Sequence, residues 1–288
     1  MISRVDAFVD YDLGMLGNPA GVCILDDAFY TKEKMQGIAA LYNWSETCFV
    51  LKCDKQKKYM EYIKPIWPNH AVFQNIDKNF NYDNVFCIRW FSPKDEAPLC
   101  GHATLAACYL IFSQNICKED ETINMIFSDG FIKSYYNKDK DMVYITMPTK
   151  SFDRCEIDPE PYLGIKHDDV VDVMSDDTVC FFVVKDDDTV SRVIPNHEAI
   201  IKTRFRAMAV TSLSSDSGID FCSRYFAPSV GIYEDPVCGS LHCRLAKYWS
   251  IKTGKVEMVA QQLSNRGGIL HVEYRDNYVV LGGKCGLI

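Results

Sequence analysis

The chain has no run of Lys and Arg longer than a pair, and its 39 acidic residues outnumber 31 basic ones, leaving a formal charge of −8. Phosphate backbones select for clustered positive charge, so nucleic acid is not an expected partner. No apolar stretch approaches the roughly 18 residues a spanning helix requires. The opening Met1-Ile2-Ser3-Arg4-Val5-Asp6 reaches an acidic residue before a secretory h-region could form, so neither a membrane nor export is expected. Cysteine is plentiful, at 13, but the number is odd and no two sit at C-x-x-C spacing. That disfavours zinc ribbons, thioredoxin-type motifs and a disulfide framework, leaving mostly free thiols in a reducing, cytoplasmic setting. Gly267-Gly268 and Gly282-Gly283 form neither G-x-G-x-x-G nor a P-loop. They read as turns, and no nucleotide, nicotinamide or flavin cofactor is implied.

What is present is core material. Of 288 residues, 48% are hydrophobic and 12% aromatic, and a chain of this size buries about three quarters of its unfolded surface. Strand-like segments recur at Arg4 to Asp10, Val22 to Leu25, Thr47 to Leu51, Val85 to Phe91, Ile123 to Phe127, Met142 to Met147 and Val179 to Val184. They continue at Phe205 to Val210, Phe221 to Phe226, Val256 to Leu263, Ile269 to Tyr274 and Tyr278 to Leu281, and Thr31 to Tyr42 predicts a short helix. Residues 54–84 shift to Lys, Asn, Asp, Tyr and Phe with Pro65 and Pro68 and no periodicity. This predicts a surface insertion whose aromatic rings dock on the lobe or at a subunit contact.

Two segments predict central helices. After Cys100-Gly101, Leu105, Cys108, Tyr109 and Phe112 fall at i, i+3, i+4 and i+7, while Ala103, Ala106 and Ala107 leave the helix apolar nearly all round. Such a helix belongs inside a wrapping sheet. After Cys238-Gly239, Leu241, Leu245, Tyr248 and Trp249 form a second apolar face that Gly254 ends. The two Cys-Gly pairs lie 138 residues apart (238 − 100), close to half the chain, as in two related lobes. If the lobes face each other, both helix N-termini point into one cleft, where free N–H groups and dipole ends favour a small carboxylate.

The motifs around these points follow a definite order. They are Val5-Asp6-Ala7-Phe8, Gly17-Asn18-Pro19-Ala20-Gly21, Ser45-Glu46-Thr47, Arg89-Trp90-Phe91-Ser92-Pro93, Cys100-Gly101-His102-Ala103-Thr104, Arg224-Tyr225-Phe226-Ala227-Pro228 and Glu234-Asp235-Pro236-Val237-Cys238-Gly239-Ser240 with His242, then Gln262 with Arg266-Gly267-Gly268. Together they resemble the PhzF-like isomerases of phenazine biosynthesis-like type, the cofactor-free branch of the diaminopimelate epimerase fold, over nearly the whole chain. The resemblance implies an α+β fold of two similar lobes, each a curved, mostly antiparallel sheet wrapped round a central helix, with the active site between them. The first lobe would be residues 1–122, with the insertion, and the second 123–288, its last strand packing back on the first. It also implies a homodimer and isomerisation by proton transfer at carbon on a small unsaturated carboxylic or amino acid. Glu46 maps to the acid/base residue, and His102, Asp235 and Ser240, with Gly101 and Gly239, to substrate binding.

The residues alone leave other roles open. Glu46 is also readable as a loop carboxylate or a helix-boundary cap, although Trp44 and Phe49 nearby suit a desolvated carboxyl able to take and return a proton. His102 at a helix N-terminus is expected to be a neutral hydrogen-bonding imidazole, Asp235 could serve only the turn before Pro236, and Ser240 could be only a cap. Cys100 and Cys238 form a possible alternative acid/base pair, as in the two-cysteine racemases and epimerases of this fold. Cys238 stands where the PhzF-like pattern usually has Thr, whereas His102 stands where diaminopimelate epimerases have Asn. His242 shares a helix face with Cys238, but no paired spacing supplies further ligands, so no metal is expected. A catalytically silent small-molecule-binding protein on the same scaffold is the remaining alternative.

Overall fold

The computed structural model describes residues 1–53 and 84–288. The expected insertion therefore lies, but for Asn84, outside the described residues. The chain divides into two compact units, one made of Met1–Ala7, Pro19–Thr146 and Gly282–Ile288, the other of Phe8–Asn18 and Met147–Leu281.

The first unit is organised by strands β1 (Ser3–Val9), β2 (Asn18–Leu25), β3 (Glu46–Lys52), β4 (Val85–Phe91), the short β5 (Glu96–Ala97), β6 (Ile123–Phe127), β7 (Gly130–Asn137) and β8 (Met142–Pro148). Helix α1 (Lys32–Tyr42) links β2 to β3, and helix α2 (Gly101–Ser113) precedes β6. The strands run in the order β1-β2-β3-β4-β6-β7-β8, and the C-terminal part of β16 (Tyr278–Leu287) pairs with both β8 and β1. The sheet is thus a closed barrel, which removes exposed strand edges. It is mixed: β2 with β3 and β4 with β6 are parallel pairs, whereas β3 with β4, β6 with β7 and β7 with β8 are antiparallel. Antiparallel pairs outnumber parallel ones, as expected, and the parallel pairs arise where the connections through α1 and α2 are crossovers, since a helical crossover returns the chain parallel.

Helix α2 is buried along nearly its whole length. It touches β3 through Cys48 Sγ, which donates to the Ala103 carbonyl at 3.4 Å, and β4 through Trp90 Nε1, which donates to Thr104 Oγ1 at 3.1 Å. On the outer face of β2 to β4, α1 covers a second apolar layer that includes Met35, Ala39, Phe49, Leu51 and Phe91. Strands covered on both faces read as near-continuous apolar runs, as β3 and β4 do.

The second unit has the order β15-β14-β13-β12-β11-β10-β9, with β16 beginning beside β15. Its strands are β9 (Asp153–Arg154), β10 (Val170–Ser175), β11 (Val179–Val184), β12 (Ala207–Leu213), β13 (Phe221–Phe226), β14 (Glu257–Gln262) and β15 (Gly268–Arg275). Short helices α3 (Glu160–Leu163), α4 (Asp187–Ser191) and α5 (His197–Ile201) cover an apolar layer on one face, including Leu163, Phe182, Val190, Ile200 and Phe226. Helix α6 (Gly239–Thr253) packs Tyr248 edge-on against Phe181 at 5.8 Å and stacks Trp249 on Phe221 at 6.1 Å. Gly254 ends it in the left-handed conformation at φ 75°.

The two units repeat one pairing plan. β11 with β12 is parallel like β2 with β3, β12 with β13 antiparallel like β3 with β4, β13 with β14 parallel like β4 with β6, and β14 with β15 antiparallel like β6 with β7. In both, the buried helix follows the third strand of the plan and begins at a Cys-Gly pair. Segment 123–146, expected to open the second lobe, packs in the first unit, where β6 pairs with β4 and β7 and β8 carry the barrel on.

Two glycines test this packing from opposite sides. A Cβ on Gly21 would stand 2.6 Å from the Trp44 ring and 2.9 Å from Thr47 Oγ1, whereas one on Gly37, inside α1, would meet nothing within 4 Å. Gly21→Ala is expected to cost about 1–3 kcal/mol by overpacking. Gly37→Ala is expected to add about 0.4–1 kcal/mol by restricting the unfolded chain. Urea midpoints of the two variants should move in opposite directions.

Candidate functional site

The sequence-derived residues fall into two groups, one in each unit. In the first, Cys100 is the extended N-cap of α2 and makes no capping hydrogen bond through its side chain. Its Sγ lies 3.4 Å from His102 Nδ1. One turn on, Thr104 Oγ1 donates to the Cys100 carbonyl at 2.6 Å while accepting from Trp90, which fixes the start of the helix from the β4 side. His102 is buried, and burial pushes its pKa down to about 4 against the opposing influence of the Pro19 carbonyl. It is therefore a neutral imidazole at physiological pH, as expected, but desolvation is the main cause, and Nε2 has no partner in hydrogen-bond geometry among the described residues.

Glu46 opens β3, where Ala20 is its partner on β2. Alternate residues of a strand share a face, and Cys48, two positions on, reaches the Ala103 carbonyl of α2. Glu46 consequently points to the helix side of the sheet. Trp44 precedes it, stacked on Tyr42 at 4.7 Å and lying over the space left by Gly21.

In the second unit, Cys238 is the extended N-cap of α6, again without a side-chain capping bond, and its Sγ lies 3.4 Å from Ser240 Oγ. The loop before it is tightly held. Asp235 Oδ1 accepts from Asn18 Nδ2 at 2.7 Å and from the Val237 N–H at 3.2 Å, and Asn18 Nδ2 also donates to the Val237 carbonyl at 2.9 Å. Gln262 clamps the same loop, accepting from the Cys238 N–H at 2.8 Å and donating to the Asp235 carbonyl at 2.6 Å. Burial pushes the Asp235 carboxyl up to about 6, with the Val237 N–H opposing most strongly. Burial and the neighbouring Asp235 together push the Cys238 thiol up to about 12, against the Ser240 hydroxyl, so it holds its proton at neutral pH.

His242 is fully buried and structurally engaged. Nδ1 lies 2.8 Å from the Cys238 carbonyl, which can only accept, and Nε2 lies 3.5 Å from Ser223 Oγ. This assigns the proton to Nδ1 and gives His242 the part in α6 that Thr104 has in α2. A duplicated ion pair anchors both loops. Arg89 makes a two-pronged pair with Glu96 at 2.7 and 2.9 Å, and Arg224 does the same with Glu234 at 2.7 and 3.1 Å. Each Glu stands four residues before its Cys (100 − 96 and 238 − 234).

The sequence motifs contain Asn18, Gln262, Arg89, Arg224 and Glu234 without roles, and Glu96 lies outside them. The repeat of Arg and Glu ahead of both Cys-Gly pairs was the available signal. No helix among the described residues is long and apolar enough to cross a membrane.

The family model for phenazine biosynthesis-like proteins matches residues 5–285. An uncharacterized isomerase of Pseudomonas aeruginosa is 32% identical, over 99% of this chain and 95% of its own. Phenazine biosynthesis-like domain-containing protein 1 of Mus musculus is 34% identical over 94% and 92%, respectively. The crystal structure of a PhzF family protein from Enterococcus faecalis superposes with a TM-score of 0.81 at 30% identity, covering 100% of this chain and 96% of that one.

The buried groups set a pH dependence of stability. His102 and His242, both with pKa lowered to about 4 from 6.5, take up protons on unfolding between those values, so their contribution is full above about 6.5 and is lost as pH falls. Asp235, raised from 3.8 to about 6, acts the other way, its contribution being present at low pH and lost as pH rises toward 6. Each proton is worth about 1.4 kcal/mol per pH unit. Between pH 4 and 6 the rise of unfolding free energy with pH should therefore be steeper in Asp235→Asn and shallower in His242→Gln than in the unmodified chain, as urea titrations at fixed pH would show.

Proposed function

This chain belongs to the phenazine biosynthesis-like family, and from that premise we propose that it is a cofactor-independent isomerase that moves a proton on a small unsaturated carboxylic or amino acid, with Glu46 as the acid/base. One observation carries the choice of Glu46. The two units repeat the Cys-Gly helix start, yet they do not repeat the carboxylate. Phe49 faces Arg89 across β3 and β4, and Val210 faces Arg224 across β12 and β13. Counting back three residues from each reaches Glu46 in the first unit and Ala207 in the second, and their partners on the preceding strand, Ala20 and Val179, also correspond. The duplicated features suit a scaffold role, and two candidate carboxylates lack a counterpart, Glu46 and Asp235, the latter corresponding to Ala97; because Asp235 is held by Asn18 and the Val237 N–H, Glu46 is the one left to move a proton.

The remaining residues suit complementary tasks. The N–H groups at Gly101 and those at Gly239, where neither cap offers a side-chain acceptor, each suit an anionic group such as a ligand carboxylate or the charge that develops as a carbon loses a proton. A neutral His102 can donate or accept a hydrogen bond without bringing a fixed charge. Asp235, held by Asn18 and Val237, suits an amino or hydroxyl group of the ligand, and Ser240 offers a hydroxyl at the start of α6. Glu46 would take the proton from one carbon and return it to another, so that one carboxyl serves as base and then as acid.

A two-thiol exchange between Cys100 and Cys238 is favoured by one fact, that both helix starts carry Cys as N-cap. The elevated Cys238 thiol opposes it, because that group is a poor proton acceptor at neutral pH. The two readings diverge in heavy water. With a panel of unsaturated carboxylates and amino acids, Glu46→Gln should reduce deuterium incorporation by about a hundredfold or more, whereas Cys238→Ser should retain activity within about tenfold. The reverse pattern would establish the thiol pair, and no incorporation with any ligand that binds would identify a silent binding protein.

A further inference from the structure

Arg244 is a buried charge that the proposed chemistry does not use. It lies on α6 one turn beyond Ser240, with its side chain only 4% exposed. Nε and Nη2 donate to Asp176 Oδ2 at 2.8 and 2.5 Å, Nη2 also to Thr178 Oγ1 at 2.9 Å, and Nη1 to the Ser240 carbonyl at 2.9 Å. Burial alone would raise the Asp176 carboxyl, but Arg244 and the Thr178 and Val179 donors outweigh it and hold the group below its ordinary range, so the pair is charged. Asp176 accepts from the Thr178 and Val179 N–H groups at 2.8 and 2.7 Å, which makes the β10–β11 turn a rigid anchor. The ion pair therefore ties that turn to the first turn of α6.

The first unit supplies an internal control. The residue six positions after Cys100 is Ala106, fully buried, and the residue six positions after Cys238 is Arg244. The same strand pairing, the same extended Cys cap and the same buried helix start form there around a methyl group. The scaffold thus does not require an ion pair at this place, and a buried pair commonly adds little net stability over well-packed apolar side chains. What the second unit has in addition is a guanidinium beneath the Cys238-Gly239-Ser240 turn.

Resting on the reading of that turn as part of the ligand site, we propose that Arg244 is a positioning residue. Anchored by Asp176 and Thr178, it fixes the Ser240 turn, holds the Ser240 hydroxyl against the Cys238 sulfur, and brings positive charge to the end of the site that receives the ligand's carboxylate. Its action on the reaction is indirect, through Ser240 and the local field. The groups that act on Cys238 are Asp235 from the preceding loop, Tyr225 from β13, and the Ser240 hydroxyl, the Leu241 N–H and Arg244 from α6. Arg244 opposes Asp235 at the thiol, while a second cation, Arg206, acts on Asp235 and Tyr225.

The test needs no substrate, so its failure is separable from failure of the isomerase reading. Iodoacetamide alkylation of the full chain is followed from pH 7 to 10.5 by peptide mass spectrometry, with Cys100 in the same molecules as reference. Arg244→Met should slow Cys238 alkylation by about threefold at a given pH, equivalent to about half a pH unit, while leaving Cys100 unchanged. Arg244→Lys, which keeps the charge, should recover most of the rate. Asp176→Asn, which keeps an acceptor for the turn but leaves the guanidinium unopposed, should move Cys238 the other way and speed its alkylation. That variant decides the matter if Arg244→Met does not fold. An unchanged or faster Cys238 in folded Arg244→Met, or an unchanged or slower one in Asp176→Asn, would overturn the proposal and leave Arg244 as packing.

Discussion

A helix that is apolar on every side must be covered on every side, and the rest of the first unit follows from meeting that requirement for α2. Its residues from Gly101 to Cys108 are buried without exception. A single sheet face cannot enclose such a helix, whereas a barrel can, and β16 pairing with both β1 and β8 completes one. Lateral closure leaves the ends of the helix as the places where backbone polar groups lack partners along the chain. At the N-terminal end the Cys100 side chain makes no capping bond and the first turn carries no acidic residue, a choice that forgoes about 0.5–2 kcal/mol available from a Ser or Asp cap.

The second unit repeats the plan with altered chemistry, which turns the molecule into its own comparison. Shared features, namely the parallel-antiparallel pairing, the Arg-Glu clips and the extended Cys caps, mark what the scaffold needs. The departures are chemical. Glu46 corresponds to Ala207, His102 to Ser240, Thr104 to His242 and Ala106 to Arg244. The Thr104 and His242 exchange preserves one task, since each bonds the carbonyl of its Cys. The other three exchange an acid, a neutral base and a methyl group for a methyl group, a hydroxyl and a cation. The first unit thereby holds the unrepeated Glu46 carboxyl and the second the buried Arg244 guanidinium.

Much of this was legible in the sequence where the signal is local. The two buried helices announced themselves through apolar spacing and through Gly254 at the end of α6, and the paired Cys-Gly starts revealed the repeat. Signals that depend on distant partners were not legible. Strand β7 alternates buried and open positions with Phe131 and Tyr135 outward, so its composition disguised it, and without it the 123–146 segment looked like the start of a new lobe. Phe205, taken as the first residue of a strand, packs in the apolar layer ahead of β12 instead. Asn18 lies 217 positions from its partner Asp235, and Arg244 lies 68 from Asp176. Only the folded chain brings such pairs together, so their roles could not be assigned from spacing.

The account's central claim is that one carboxyl, Glu46, both removes and returns the proton. The most direct measurement is the isotopic content of product formed in a single turnover in heavy water, from a carboxylate substrate that copurifies with the protein. A single carboxyl returns the hydrogen it removed before complete exchange with solvent, so a measurable fraction of product should retain the substrate's protium at the new position. Product carrying only solvent deuterium from the first turnover, with the rate unaffected by Glu46→Gln, would contradict the account.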